Sequence, residues 1–289
     1  MHYYTTGGQK MVAQFCALWY NSGEIWKTGG KRAVNELLKM YLIVCPLIFL
    51  GGFVDSVAGG GGLITLPAYM MAGVPVHFAA GTNKVVNGIG TATATVKFFR
   101  SGKIRVLIAV CAAIGALAGG YIGAEIAKLL SEGLLKGLML VALPVVAVFL
   151  VVKKDFGQET GEKVHSHRYE IVVSLLIGLA IGCYDGMVGP GTGTFMIMAF
   201  TALLSLDMVT ASGCAKVGNL ASNVAAAVSF IIGGKVMWAL VIPAALCSVA
   251  GNYCGALYAI RGGGKKIKNM IFVVLGMLFV KMLVDLLAK

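Results

Sequence analysis

Apolar stretches of bilayer-spanning length follow one another along most of the chain, the plainest being 104–127, 133–152, 236–260 and 269–288. A helix needs roughly 20 such residues to cross the hydrocarbon core of a membrane. One run could serve as a secretory signal, but a series of them cannot. Charged residues make up only 12% of the 289, about half the share found in soluble domains. The chain reads as an all-α polytopic membrane protein, and its first partner is the lipid bilayer.

The formal net charge is +12, which in a soluble protein would suggest nucleic acid. Here the basic residues gather in short loops between apolar runs: Arg100, Lys103 and Arg105, then Lys153 and Lys154, then Arg261, Lys265, Lys266 and Lys268. That is the positive-inside pattern of cytoplasmic loops, so no nucleic-acid partner is inferred. The seven cysteines include no C-x-x-C pair, and His165 and His167 lie in a polar linker. Neither a disulfide framework nor a metal site is indicated, and no cofactor motif is present. The glycine runs are not followed by G-K-[ST], so there is no nucleotide-binding loop. No nucleophile or metal constellation marks an enzyme.

The sequence repeats itself. GFVDSVAGGGG at 52–62 aligns with GCYDGMVGPGTG at 182–193, matching Gly52 with Gly182, Asp55 with Asp185, Gly59 with Gly189 and Gly61 with Gly191. After a shift of two positions the match continues through Lys84 and Lys216, Asn87 and Asn219, Phe98 and Phe230. The chain divides into an N-terminal leader (1–39), a first membrane copy (40–152), a basic cytoplasmic linker (153–169) and a second membrane copy (170–289). The leader reads as an amphipathic surface segment or, by preference, as the product of a start codon placed too far upstream. Within each copy a long apolar run precedes the glycine break. The runs that follow it, 63–74 and 194–206, are short and suit half-helices or re-entrant arms.

Loop charge gives the relative orientation. The strongly basic loop is 100–105 in the first copy but 261–268 in the second, a different position in the unit. If both face the cytoplasm, the copies are inverted in the membrane. Lys31, Arg32 and Lys39 then precede the first helix on the outer side, against the same rule. Inverted copies with broken helices, about eight spanning helices plus short half-helices, are a recurring design of secondary transporters, with the site near the midplane.

Three elements mark that site. Gly59, Gly60, Gly61 and Gly62 in one copy, and Gly189, Gly191, Thr192 and Gly193 in the other, form cradles where helix N-termini expose N–H groups to an anion. Close helix packing is the simpler reading of those glycines, although four consecutive ones do not share a helix face. Asp55 and Asp185 are intramembrane carboxylates, functional by default: coupling-proton carriers, cation ligands, or braces for the broken backbone. The third element is a polar helix start, with Thr82, Asn83, Lys84 and Asn87 in the first copy and Lys216, Asn219 and Asn223 in the second. Two repeated lysines favour a small anionic substrate. A Lys84–Asp55 or Lys216–Asp185 ion pair holding each copy together is the structural alternative.

The strings F-V-D-S-V-A-G-G-G-G-L-I-T-L-P, G-T-N-K and S-G-K-I resemble the sulfite exporter TauE/SafE family, also called the toluene-sulfonate uptake permease family. The second-copy strings G-C-Y-D-G-M-V-G-P-G-T-G-T-F, A-K-V-G-N and G-G-K-V are similar to that family's second half. The likeness covers residues 40–289 and is nearest a subgroup of bacterial permeases. It implies a multi-pass secondary carrier of the bacterial inner membrane, driven by a proton or ion gradient. Family members are associated with sulfite, sulfonates and other small organic anions. A cation or metal carrier built on Asp55 and Asp185, and a membrane scaffold without transport, are the alternatives.

Overall fold

The computed structural model describes residues 30–131, 133–134 and 165–287. Among them are eight helices and no strand. In chain order the helices are α1 (Gly30–Ala58), α2 (Gly62–Met71), α3 (Val76–Arg100), α4 (Val106–Leu129), α5 (His167–Met187), α6 (Thr192–Leu204), α7 (Met208–Ile232) and α8 (Trp238–Leu287). Helix α8 is broken at Gly263, whose φ of 67° and ψ of −171° are not helical. Of the span expected at 133–152 only 133 and 134 are described, and of the linker expected at 153–169 only 165–169, whose last three residues open α5; the leader from 1 to 29 lies outside the described residues. Residues 30–39 of the leader form the beginning of α1.

Among the described residues five helices are long and apolar enough to cross a membrane: Leu37–Ala58 within α1, then α4, α5, α7, and Trp238–Val273 within α8. Helix α3 has 25 residues but is not among them. Thr82, Asn83, Lys84 and Asn87 lower its hydropathy. The half-helices take the expected form: α2 has 10 residues and α6 has 13. At 1.5 Å per residue they reach only about 15 and 20 Å, short of the roughly 30 Å hydrocarbon core.

Burial runs opposite to that of a soluble protein. Leu42, Ile114, Ile122, Ile232, Ile242 and Leu246 are exposed, while Asp55, Lys84, Asp185 and Lys216 are buried. Exposed aliphatic surface on this scale suits contact with lipid. Apolar side chains gain little from leaving lipid for one another, so close contact between small residues helps hold helices together around buried apolar clusters that include Tyr69, Phe98, Phe200 and Phe230.

Helices from the N-terminal and C-terminal halves of the chain interlock through such residues. Gly115, Gly119 and Gly123 recur every four positions along α4 and press on the Leu175, Leu179 and Cys183 carbonyls of α5. Gly178, Gly182 and Gly186 of α5 press back on Ala112, Ala116 and Gly120. In the reciprocal place, Gly251 and Gly255 of α8 meet the Phe49 and Phe53 carbonyls of α1. Thus the last described long helix of each copy packs on the first helix of the other. A Cβ on Gly119 would lie inside 3.0 Å of the α5 backbone, a separation real Cβ atoms essentially never show. Gly119→Ile is expected to lower the unfolding temperature in detergent, in line with an overpacking cost of at least about 1–3 kcal/mol. Lipid-facing Ile122→Leu is the control and should leave it unchanged.

One expectation needs correction. The polar segments do not begin their helices: α3 starts at Val76 and α7 at Met208, so Lys84 and Lys216 each lie eight residues further in. The true start signals stand upstream. Pro75 precedes α3, and the Asp207 carboxylate accepts from the Val209 and Thr210 N–H groups at 2.9 and 3.1 Å. A proline or a capping aspartate fixes a helix start better than any residue of the later segments.

Candidate functional site

Helix α1 ends at Ala58 because Gly59 takes φ = 76°, a left-handed conformation that costs glycine little. Helix α5 ends in the same way before Gly189 (φ = 90°) and Gly191 (φ = 83°). The two breaks do not flank an open gap; they touch. Gly193 N–H donates to the Gly59 carbonyl at 3.1 Å, and Thr194 Oγ1 donates to the Ala58 carbonyl at 2.6 Å. A Cβ on Gly59 would overlap the Gly193 backbone, and one on Gly193 would overlap Gly59. One on Gly61 would sit 2.5 Å from Asp55 Cβ, and one on Gly62 3.1 Å from Pro190 Cα. Close packing accounts for these four glycines. Gly60 lies between them and accepts from Leu63 N–H at 3.1 Å.

The ion pairs cross between copies. Lys84 of α3 meets Asp185 of α5 at 2.8 Å, and Lys216 of α7 meets Asp55 of α1 at 2.8 Å. The pairing expected within each copy is therefore corrected: each lysine reaches the carboxylate of the other copy. The physical reason is the interlock just described, which brings α3 and α7 together at the breaks. Reciprocity extends further. Gly81 of α3 lies against the Lys235 carbonyl, and Gly213 of α7 against that of Lys103. Thr82 Oγ1 accepts from Met237 N–H at 2.9 Å, while Arg105 N–H points to Cys214 Sγ at 3.4 Å. Thr82 thus anchors the segment leading into α8.

The pairs differ in their surroundings. Asp185 also receives the Thr192 hydroxyl at 2.8 Å and the Ser222 hydroxyl at 2.6 Å. Asp55 receives Lys216 alone among the described residues, and that ammonium also donates to the Asp55 backbone carbonyl at the end of α1. A cation there complements the negative end of the helix. Gly189 packs closely on the Lys84 ammonium, its ideal Cβ falling 3.3 Å from Nζ.

The remaining polar residues line α3 and α7. Asn223 Nδ2 donates to Asn219 Oδ1 at 2.9 Å, whereas Asn87 is half-buried. Asn83 Oδ1 and Thr91 Oγ1 are buried without a hydrogen-bond partner among the described residues. Sequence reasoning missed Ser222, Thr194 and Asn252, the last of which accepts from Ser56 Oγ at 2.7 Å. Ser222 adjoins Asn223 in a segment already singled out, and Asn252 is an amide within an apolar run, so both carried a usable signal. Thr194 carried none. At one end of the molecule, buried Glu170 of α5 holds Arg105 at 2.7 Å, another contact between copies. Among the described residues no three His, Cys, Asp or Glu side chains converge.

Membrane-length helices, two helix breaks in contact and buried charge pairs beside them are the features of a multi-pass membrane protein of transporter type. The chain belongs to the sulfite exporter TauE/SafE family, whose sequence model matches residues 44–282. A protein of Sinorhizobium sp called probable membrane transporter protein ORF9 is 33% identical over 237 residues, 82% of this chain and 90% of its own length. The probable membrane transporter protein YfcA of Escherichia coli strain K12 is 30% identical over 255 residues, 87% of this chain and 94% of its own. A probable membrane transporter protein of Haemophilus influenzae is 30% identical over 237 residues, 82% and 92% of the two chains. No solved structure matches the chain.

Proposed function

We propose that the protein is a secondary transporter moving a small anion, sulfite or an organosulfonate, together with a proton across the bacterial inner membrane. Its site lies where two inverted copies, 40–152 and 170–289, meet near the midplane. The observation that carries this reading is the crossed pairing of two buried lysines with two buried carboxylates beside the touching helix breaks. A purely structural brace has no need of charge at membrane depth, where each ion is expensive.

The four groups sum to zero formal charge. An anion entering alone would leave one uncompensated negative charge in a low-dielectric interior, and a proton entering with it restores neutrality. The lysine ammonium groups, the Asn83, Asn87 and Asn219 amides and the Thr91 hydroxyl, which has no partner among the described residues, supply donors for substrate oxygens, while Thr192 and Asn223 hold Asp185 and Asn219 in place. The glycines of the two breaks let their backbones touch beside these groups. Against a cation carrier, each carboxylate already faces an ammonium. The swapped loop charges support inversion, and the reciprocal contacts fit a two-fold relation between copies.

The test uses the full chain in liposomes under an inward pH gradient. Wild type is expected to accumulate sulfite or a short sulfonate. The double variant Lys84→Met/Asp185→Asn removes both charges without leaving one stranded, so it should stay folded. Loss of charge-assisted bonds worth about 1.5–3 kcal/mol should weaken anion binding about 10–100-fold. Uptake at the wild-type rate by this variant would sink the lysine assignment.

A further inference from the structure

The two carboxylates occupy matched positions in the repeat, yet their environments differ. Both oxygens of Asp185 are engaged: Oδ1 takes the Lys84 ammonium and Oδ2 the Ser222 hydroxyl, while the Thr192 hydroxyl shares its one proton between Oδ1 at 2.8 Å and the Gly189 carbonyl at 2.7 Å. Lys84 in turn meets no acceptor besides Asp185 among the described residues, so removing that charge would strand a buried cation. Asp55 is the opposite. Only its Oδ2 is engaged, its side chain keeps 12% exposure against 4% for Asp185, and Oδ1 takes no hydrogen bond among the described residues. Lys216 does not depend on the Asp55 carboxylate alone, because it also holds the Asp55 backbone carbonyl.

We infer that the copies have divided the two roles: Asp55 carries the coupling proton at Oδ1, and Asp185 is a fixed brace that positions Lys84. This rests on the transport reading above. The charges balance. A proton from water adds to Oδ1, and Lys216 remains charged, held by the carbonyl end of α1. The resulting single positive charge is met by one singly charged anion. One proton therefore accompanies each such anion, and both leave on the far side. The charged groups around Asp55 are Lys216 from α7 and, beyond the Gly59–Gly193 contact, the Lys84–Asp185 pair. Asp55 is thus the one carboxylate of the four-group centre that can change charge without stranding its lysine.

Two measurements test this. The first needs no substrate: the detergent-purified full chain is treated with dicyclohexylcarbodiimide, which modifies protonated carboxyl groups in apolar surroundings, and the label is located by peptide mass spectrometry. Label is expected on Asp55, increasing as pH falls, with none on Asp185. Label on Asp185, equal label on both, or none on Asp55 overturns the division of roles. The second compares transport modes in liposomes. Asp55→Asn should retain sulfite exchange across the membrane while losing accumulation driven by a pH gradient. Gradient-driven accumulation by Asp55→Asn at the wild-type level would also overturn it. If wild type moves no anion while Asp55 alone takes label, the anion-transport reading fails and the asymmetry of the carboxylates stands. If Asp55→Asn does not fold, the labelling result on wild type decides.

Discussion

Lys84→Met alone is expected to destabilise the fold by about 3–5 kcal/mol, and adding Asp185→Asn to the same chain should restore most of that loss. Breaking a buried ion pair leaves an uncompensated charge, whereas replacing both partners by neutral groups of similar size is often nearly neutral. The effect should be large here because both side chains are almost wholly buried, at 5% and 4% exposure. Thermal unfolding in detergent, followed by intrinsic fluorescence, measures it. Single and double variants with equal stability would show that the pair contributes nothing to the fold. Of the two aspartate single variants, Asp55→Asn should cost less than Asp185→Asn, since Lys216 keeps a backbone acceptor.

The second large effect belongs to Gly59. Gly59→Ala introduces a Cβ that overlaps Gly193 backbone, at a residue with φ = 76°. Gly102→Ala is the matched comparison: its φ is 71°, but nothing lies within 4 Å of the added atom. The left-handed conformation alone costs roughly 1–2 kcal/mol, and that is all Gly102→Ala should lose. Gly59→Ala must in addition force the two breaks apart, so it is expected to abolish both a cooperative melt and transport. If the two alanine variants melt together, contact between the breaks is not what holds them.

Those two sites show where the sequence could be read and where it could not. The periodic match of Asp55 with Asp185 and Lys84 with Lys216 placed four charges at equivalent positions, and the short runs after the glycines foretold α2 and α6. Partner choice was hidden. Residues three apart on one helix share a face whatever else the chain does, but which carboxylate faces that helix depends on how two copies interlock. Asp55 and Lys216 lie 161 residues apart, and no local pattern connects them. The same holds for Thr194, whose acceptor is 136 residues away. The glycines were legible as special but not as contacts, because a cradle and a close approach both require a missing Cβ. The helix starts at Val76 and Met208 were missed because Pro75 and Asp207 stand outside the polar segments that drew attention.

The crossed pairs also set a timetable for biosynthesis. Lys216 is made 161 residues after Asp55, which at about 5–20 residues per second means a delay of about 8–32 s. For most of that interval, from Lys84 until Asp185 is made, the nascent chain holds an aspartate and a lysine without their final counter-ions. On the scale of translocon insertion, each lone charge at a helix centre costs about 2.5–3.5 kcal/mol. The first copy therefore cannot reach its final packing in advance. It has to wait in the membrane, or at the insertion machinery, until α5 and α7 arrive to close both pairs.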